Sequence, residues 1–250
     1  MAELYRNITA GVFLARPNRF LAEVSVAGHA ELVHLKTTGR CRELLIPGAE
    51  VFLTAPGTAG RKTAYDLVAV RKSNGLLVNI DSQAPNLAAL AWLRRQRFDR
   101  IVPEYRYGDS RIDFLMEGGG QRFLMEVKGC TLEIGGIGYF PDAPTERGIK
   151  HLDALIRARR EGFRAIAAFV IQMNGVTEVR PNLSTHPAFG EAWQRAEEAG
   201  VEMWMLPCDV APDKLGIRCE GILPERGGPF IKGLCRAACS RQTDDGSTET

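Results

Sequence analysis

Up to about residue 82, apolar residues come in short runs cut by glycine and proline. The runs at 8–15, 20–26, 32–35, 51–55, 67–71 and 76–80 are separated by turns such as Ala27-Gly28, Pro47-Gly48 and Pro56-Gly57. Short strands bounded by turn residues at even spacing predict a small barrel or sandwich. A five-stranded barrel of the oligonucleotide-binding (OB) type has this length. Ser82-Gln83-Ala84-Pro85 marks a boundary, and the pattern then changes. Asn86 is placed to cap a helix over 87–98. Strands are expected near 112–117 and 123–127. A helix is expected over 145–161, where Ile149, Leu152, Leu155 and Ile156 share one face, with Thr145 as its cap and Gly162 as its stop. An apolar run at 164–172 reads as a buried strand, 187–199 as a helix opened by Pro187 and closed before Gly200, and 201–206 as a last strand. Strands alternating with helices predict an α/β domain. The expected organisation is a barrel over 1–82, an α/β domain over 83–223, and a polar, glycine-rich, flexible tail over 224–250.

The chemistry concentrates between residues 104 and 128. Side chains alternate along a strand, so Glu126 and Lys128 share one face while Phe123, Met125 and Val127 share the other, apolar one. Asp113 lies on the preceding strand, facing away from Ile112 and Phe114. A hairpin through Gly118-Gly119-Gly120 would bring Asp113 and Glu126 together. Two convergent carboxylates form a hard, oxygen-rich site suited to Mg²⁺ or Mn²⁺, and the Val127 carbonyl adds a ligand. Such an ion polarises a phosphoryl oxygen and generates hydroxide. Lys128 beside it orients the water or offsets developing charge. Glu104, in the preceding loop, completes the ligand set or holds a second ion. By itself an acid-x-Lys pair on one strand face is equally an ion pair at the surface.

A second motif runs from Phe140 to Leu152. Two prolines, Pro141 and Pro144, stiffen a loop that feeds a helix start carrying Thr145, Arg147, Lys150 and His151. Helix N-termini favour anions, so these groups form a phosphate-facing edge. Residues 94–111 add a basic rim containing Arg111, as a phosphodiester substrate requires. Tyr105, Tyr107 and Tyr139 are candidates for stacking on bases, or for packing.

Composition narrows the picture. The chain has 250 residues, 45% of them hydrophobic and 25% charged, so it can build a core without disulfides or metal. No apolar run approaches the roughly 20 residues of a membrane-spanning helix. The net charge of +2 announces no polyanion partner by itself, although arginine outnumbers lysine 25 to 7. The six cysteines form no C-x-x-C pair. The N-terminus lacks a signal-peptide pattern, so a reducing cytoplasm and free thiols are expected.

The segments 101–115, Glu126-Val127-Lys128 and above all 140–152 resemble the sugar fermentation stimulation protein A family. Its signature reads phenylalanine, proline, aspartate, alanine, then threonine, acid or small, arginine, glycine, any, lysine, histidine, leucine, and the chain supplies it in order. The resemblance covers roughly residues 5–222. It implies an OB-like β-barrel followed by a restriction-endonuclease-like α/β domain of the PD-(D/E)xK type. It also implies a DNA-binding protein linked to regulation of sugar use, maltose in particular, with RNA left open as a partner. The nuclease pattern falls on Asp113, Glu126 and Lys128, with Glu104 beside them. Two segments depart from the family. His34-Leu35-Lys36-Thr37-Thr38-Gly39 stands where the family has His-Cys-Pro-Asn-Thr-Gly, and Gly129-Cys130-Thr131-Leu132 where it has Ser-Val-Thr-Leu. Two readings follow: a metal-dependent nuclease, or a non-catalytic DNA-binding regulator on a nuclease-like scaffold.

Overall fold

The computed structural model describes residues 2–37, 39–57 and 60–218. The tail expected over 224–250 lies outside them. Near the N-terminus, β1 (Ala2–Glu3) is followed by β2 (Ile8–Asn18), β3 (Leu21–Val26), β4 (His29–Leu35), β5 (Glu50–Thr54), β6 (Asp66–Arg71) and β7 (Leu77–Asn79). The order β4-β3-β2-β5-β6 closes on itself because β4 also pairs with β6, in parallel, at His34↔Asp66 and Leu35↔Leu67. This is the closed five-stranded barrel expected from the turn spacing. Closure removes the free strand edges that invite aggregation.

The second unit is built on a seven-stranded sheet. Its further elements are α1 (Ala84–Leu93), β8 (Arg100–Tyr107), β9 (Ser110–Gly118), β10 (Gln121–Cys130), β11 (Leu132–Ile134), β12 (Ile137–Phe140), α2 (Glu146–Arg160), β13 (Arg164–Ile171), β14 (Val179–Pro181), α3 (Pro187–Glu198), β15 (Glu202–Ala211) and β16 (Lys214–Ile217). The sheet order is β1-β16-β15-β13-β10-β9-β8. Its centre, β10-β13-β15, is parallel. β13 is covered on both faces, which is why its sequence is a continuous apolar run rather than an alternating one. Ala165, Ala167, Phe169 and Ile171 pack into the core on the side of α2 and α3, and Ile166, Ala168 and Val170 into the core with α1. β11, β12 and β14 form a small separate sheet. Gly135 and Gly136, both at positive φ, turn β11 into β12, so the glycine cluster is a hairpin turn.

Three expectations change. The first helix of this unit starts at Ala84, with Gln83 as its cap and Pro85 in its first turn, and ends at Leu93. Proline suits that position because it has no N–H to lose. Asn86 is therefore inside the helix and not its cap. β8 replaces the loop expected around Glu104. Its exposed, charge-rich sequence with Pro103 gives no alternating signal, as befits an edge strand. Finally β1 crosses over to β16, pairing Ala2 with Leu215, so the first residues hydrogen-bond to the α/β sheet and not the barrel.

Gly129 shows how tightly α1 seats on β10. A Cβ there would lie 2.8 Å from Pro85 Cγ and 2.3 Å from Gln172 Oε1. Gly129→Ala is expected to destabilise the protein by about 1–3 kcal/mol through overpacking, read as a lower urea midpoint at unchanged m-value.

Candidate functional site

The site forms where the hairpin of β9 and β10 splits. Gly119 and Gly120, at φ 59° and 73°, supply its tight turn. Pairing runs from Gln121↔Gly118 to Met125↔Phe114 and stops there. On the other side, β8 pairs Pro103 with Phe114 and Tyr105 with Ile112 but leaves Glu104 and Asp113 unpaired. Asp113 thus sits where β9 parts from both neighbours. Ile112 and Phe114 go into different halves of the core, so the strand turns over at this residue.

Asp113 fills the gap it creates. Its Oδ2 accepts the Val127 N–H at 2.7 Å, and its Oδ1 accepts the Asn86 side-chain amide at 2.7 Å. In a strand the N–H and C=O of one residue point the same way, so the Val127 carbonyl also faces this opening. Beyond the split, β10 carries Glu126 and Lys128 on the side of α2. Phe123, Met125 and Val127 pack with Trp92 and Leu93 on the side of α1, as the alternation predicted. Lys128 Nζ donates to Glu126 Oε1 at 2.6 Å.

A third side chain joins them from α2. His151 Nδ1 is bonded to Glu126 Oε1 and lies 3.0 Å from Lys128 Nζ. On the far side of the ring, Arg147 Nε donates to His151 Nε2 at 3.4 Å. A guanidinium only donates, so Nε2 accepts and the ring proton sits on Nδ1, pointing at Glu126. His151 is buried, and so is Glu126. Glu126 Oε2 is buried without any hydrogen-bond partner. Burial pushes Glu126 up, but the Lys128 ammonium and His151 outweigh it and hold the carboxyl below its usual range. Asp113 goes the other way. Burial and the Glu126 charge push it up to about 6, against the pull of Val127 N–H, Lys128 and Asn86.

These groups suit a small divalent cation. Mg²⁺ commonly takes one or two carboxylates and keeps several waters. Asp113 has spare lone pairs on both oxygens, and Glu126 Oε2 is wholly uncommitted. Among the described residues no three His, Cys, Asp or Glu gather into a full cage, so solvent or substrate oxygens would complete the shell. Glu104 is not part of it. Its backbone is at φ 55°, and its exposed carboxylate pairs with Arg111 Nε at 2.8 Å. Arg111, expected to meet nucleic acid, is the partner in that surface pair, which is worth only ~0–1 kcal/mol.

The helix edge divides. Thr145 caps α2 as expected, its hydroxyl accepting the Gly148 N–H at 3.0 Å, and that role occupies it structurally. Its own N–H donates to His186 Nδ1. Arg147 and Lys150 are exposed on the opening turns. His151, grouped with them as a phosphate contact, faces inward instead. Asn86 and the inward role of His151 are what the sequence did not show. Only the Arg147–His151 spacing of four, placing both on one helix side, hinted at the second. His151→Ala is expected to lower cation affinity or turnover about 10–100-fold, as losing an orienting partner does, with the fold retained by circular dichroism.

The comparisons with known proteins come down on one side. The sequence profile of the sugar fermentation stimulation protein RE domain matches residues 83–214, and that of the SfsA N-terminal OB domain matches residues 14–80. The chain belongs to the sugar fermentation stimulation protein family. A sugar fermentation stimulation protein homolog of Desulfitobacterium hafniense (strain Y51) is 48% identical over 84% of this chain and 93% of its own length. A homolog from Clostridium beijerinckii is 44% identical over 86% of this chain and 96% of its own length. Among solved structures, SfsA of Pyrococcus furiosus in complex with Ca²⁺ aligns with a TM-score of 0.76 at 29% identity, covering 87% of this chain and 96% of that one. The OB assignment of this family agrees with the parallel β4–β6 closure of the barrel.

Proposed function

We propose that this member of the sugar fermentation stimulation protein family binds nucleic acid, DNA first, and hydrolyses phosphodiester bonds with a Mg²⁺ or Mn²⁺ ion between Asp113 and Glu126. The observation that carries the reading is Glu126 Oε2, a buried carboxylate oxygen without a partner, beside a second carboxylate at a split in the sheet. A buried, unsatisfied charged oxygen costs several kcal/mol and calls for a ligand. The relative from Pyrococcus furiosus was solved with Ca²⁺, an ion of the same hard class.

When bound, the ion supplies Lewis acidity and a lowered water pKa. The chain does the rest. Asp113 and Glu126 hold the charge that draws the ion in. Lys128, anchored on Glu126 Oε1, directs its ammonium at the attacked phosphate and offsets the added negative charge. His151 keeps Glu126 oriented, so that Oε2 and not Oε1 meets the ion. Arg147 and Lys150 line the helix start with cations for the substrate backbone. The test is cleavage of labelled single-stranded, duplex and branched DNA, and of RNA, with Mg²⁺ or Mn²⁺ against EDTA. Metal-dependent products are expected, and a pure protein inert on all of them would end the catalytic reading.

A second reading has its own observation. Each Asp113 oxygen already accepts a hydrogen bond, and Glu126 Oε1 is closed by Lys128 and His151. A site satisfied this far from within also suits a regulator of sugar metabolism that uses the fold to grip DNA. That reading expects steep salt dependence of binding and no heat on titration with Mg²⁺. Either protein works in the cytoplasm: among the described residues no helix is long and apolar enough to cross a membrane, and Cys41, Cys130 and Cys208 are free thiols.

A further inference from the structure

Two loops of the barrel meet at the end that touches the α/β domain. The turn between β2 and β3 carries Arg19 and Phe20, and residues 39–42 carry Arg40 and Arg42. Neither 16–22 nor 39–42 contains an acid. Arg16 joins the loops. Its guanidinium donates to the backbone carbonyls of Asn18, Arg19, Gly39 and Arg40. Those four neutral partners satisfy its N–H groups without cancelling its charge.

The turn is also rigid. Asn18 Oδ1 accepts the N–H of Phe20 at 2.9 Å and of Leu21 at 3.1 Å, while the Phe20 carbonyl accepts the Leu35 N–H at 2.7 Å. On this fixed backbone Phe20 is 54% exposed, and the Arg19 guanidinium lies 4.6 Å from its ring centroid. An exposed apolar residue alone means little. One held on a pinned turn, with a cation over one face and further guanidinium groups beside it, is preorganised for a planar, anionic ligand. The patch is also continuous with the proposed site. Asp142 accepts the Arg40 backbone N–H at 3.0 Å, and Asp142 lies in the loop that leads to Thr145 and Arg147.

We propose that this barrel patch binds single-stranded nucleic acid, with a base stacked on the open face of Phe20 and phosphates held by Arg16, Arg19 and Arg40. Only an unpaired base offers its face to a side chain, which selects single strands over duplex. The inference goes beyond the cation site and does not need it.

The test is fluorescence anisotropy of labelled oligothymidylate with the full chain in EDTA. Binding is expected to weaken with salt, and Phe20→Ala and Arg19→Ala are each expected to weaken it about tenfold, within the range for losing one stacked base. Phe20→Trp should retain it. Both positions are exposed, so unchanged thermal unfolding will show that the variants fold. Wild-type affinity in Phe20→Ala, equal or better binding of a duplex of the same length, or no binding by the wild-type protein would each overturn the proposal. Metal-dependent cleavage scored separately keeps the two readings apart. Cleavage without oligothymidylate binding sinks this one alone, and binding without cleavage sinks only the other.

Discussion

Asp113→Asn is expected to abolish metal-dependent cleavage while making the folded protein more stable at neutral pH. The two effects share one cause. The ionised Asp113 carboxylate is disfavoured by burial and by the charge on Glu126, so a neutral isostere relieves the native state. The same carboxylate is half of the proposed cation site, and an amide cannot replace its charge. Losing an ion whose Lewis acidity supplies several kcal/mol should cost at least about 10³-fold in turnover, at 1.36 kcal/mol per factor of ten. Stability gained where function is lost marks a functional site. Cleavage assays and urea titrations at pH 7.5 on the same preparations check both halves. Asp113→Asn protein that still cleaves would show that the chemistry lies elsewhere.

The largest pH effect follows from the same group. Asp113 is raised from an ordinary value near 3.8 to about 6. An acid whose folded value is raised holds its proton more tightly when folded. Its stabilising contribution is therefore complete below about pH 4 and is lost as pH climbs through 6, by about 3 kcal/mol at most. Glu126 acts oppositely, because its lowered value gives stability above its unfolded pKa that disappears in acid. The protein without metal should thus lose stability between pH 4 and 7, and Asp113→Asn should flatten that slope. Saturating Mg²⁺ should restore stability at pH 7, since only the ionised carboxylate binds it. Thermal unfolding across that range, with and without Mg²⁺, gives the answer. An identical slope in the Asn variant would remove Asp113 as its source.

What the sequence revealed and what it hid follows from the range of the interactions. Glu126 and Lys128 were legible because one strand with an apolar back face dictates where its polar side chains point. Thr145 was legible because capping is local. Asn86 was misread because a cap and a long-range amide donor look alike in sequence, and only the packing of α1 on β10 aims it at Asp113. His151 was read as an outward basic group, since nothing local says which side of α2 meets β10. Glu104 was drawn into the site by its nearness in sequence to Asp113. Its positive φ and its pairing with Arg111 carry it to the surface. β8 escaped because an exposed edge strand with proline and alternating charges has no hydrophobic period. The short strands β11, β12 and β14 are too brief for any period to register.

The crossover of β1 to β16 has a consequence for biosynthesis. Ala2 leaves the ribosome first, yet its partner Leu215 is translated after nearly every other described residue. At roughly 5–20 residues per second, a domain whose partners are close in sequence folds as it emerges. The barrel, β2 to β6, meets that condition, and so it stands finished while the leading residues wait for the last strand to be made. The nascent chain therefore completes its nucleic-acid grip before its cutting half, and the union of Ala2 with Leu215 closes the assembly.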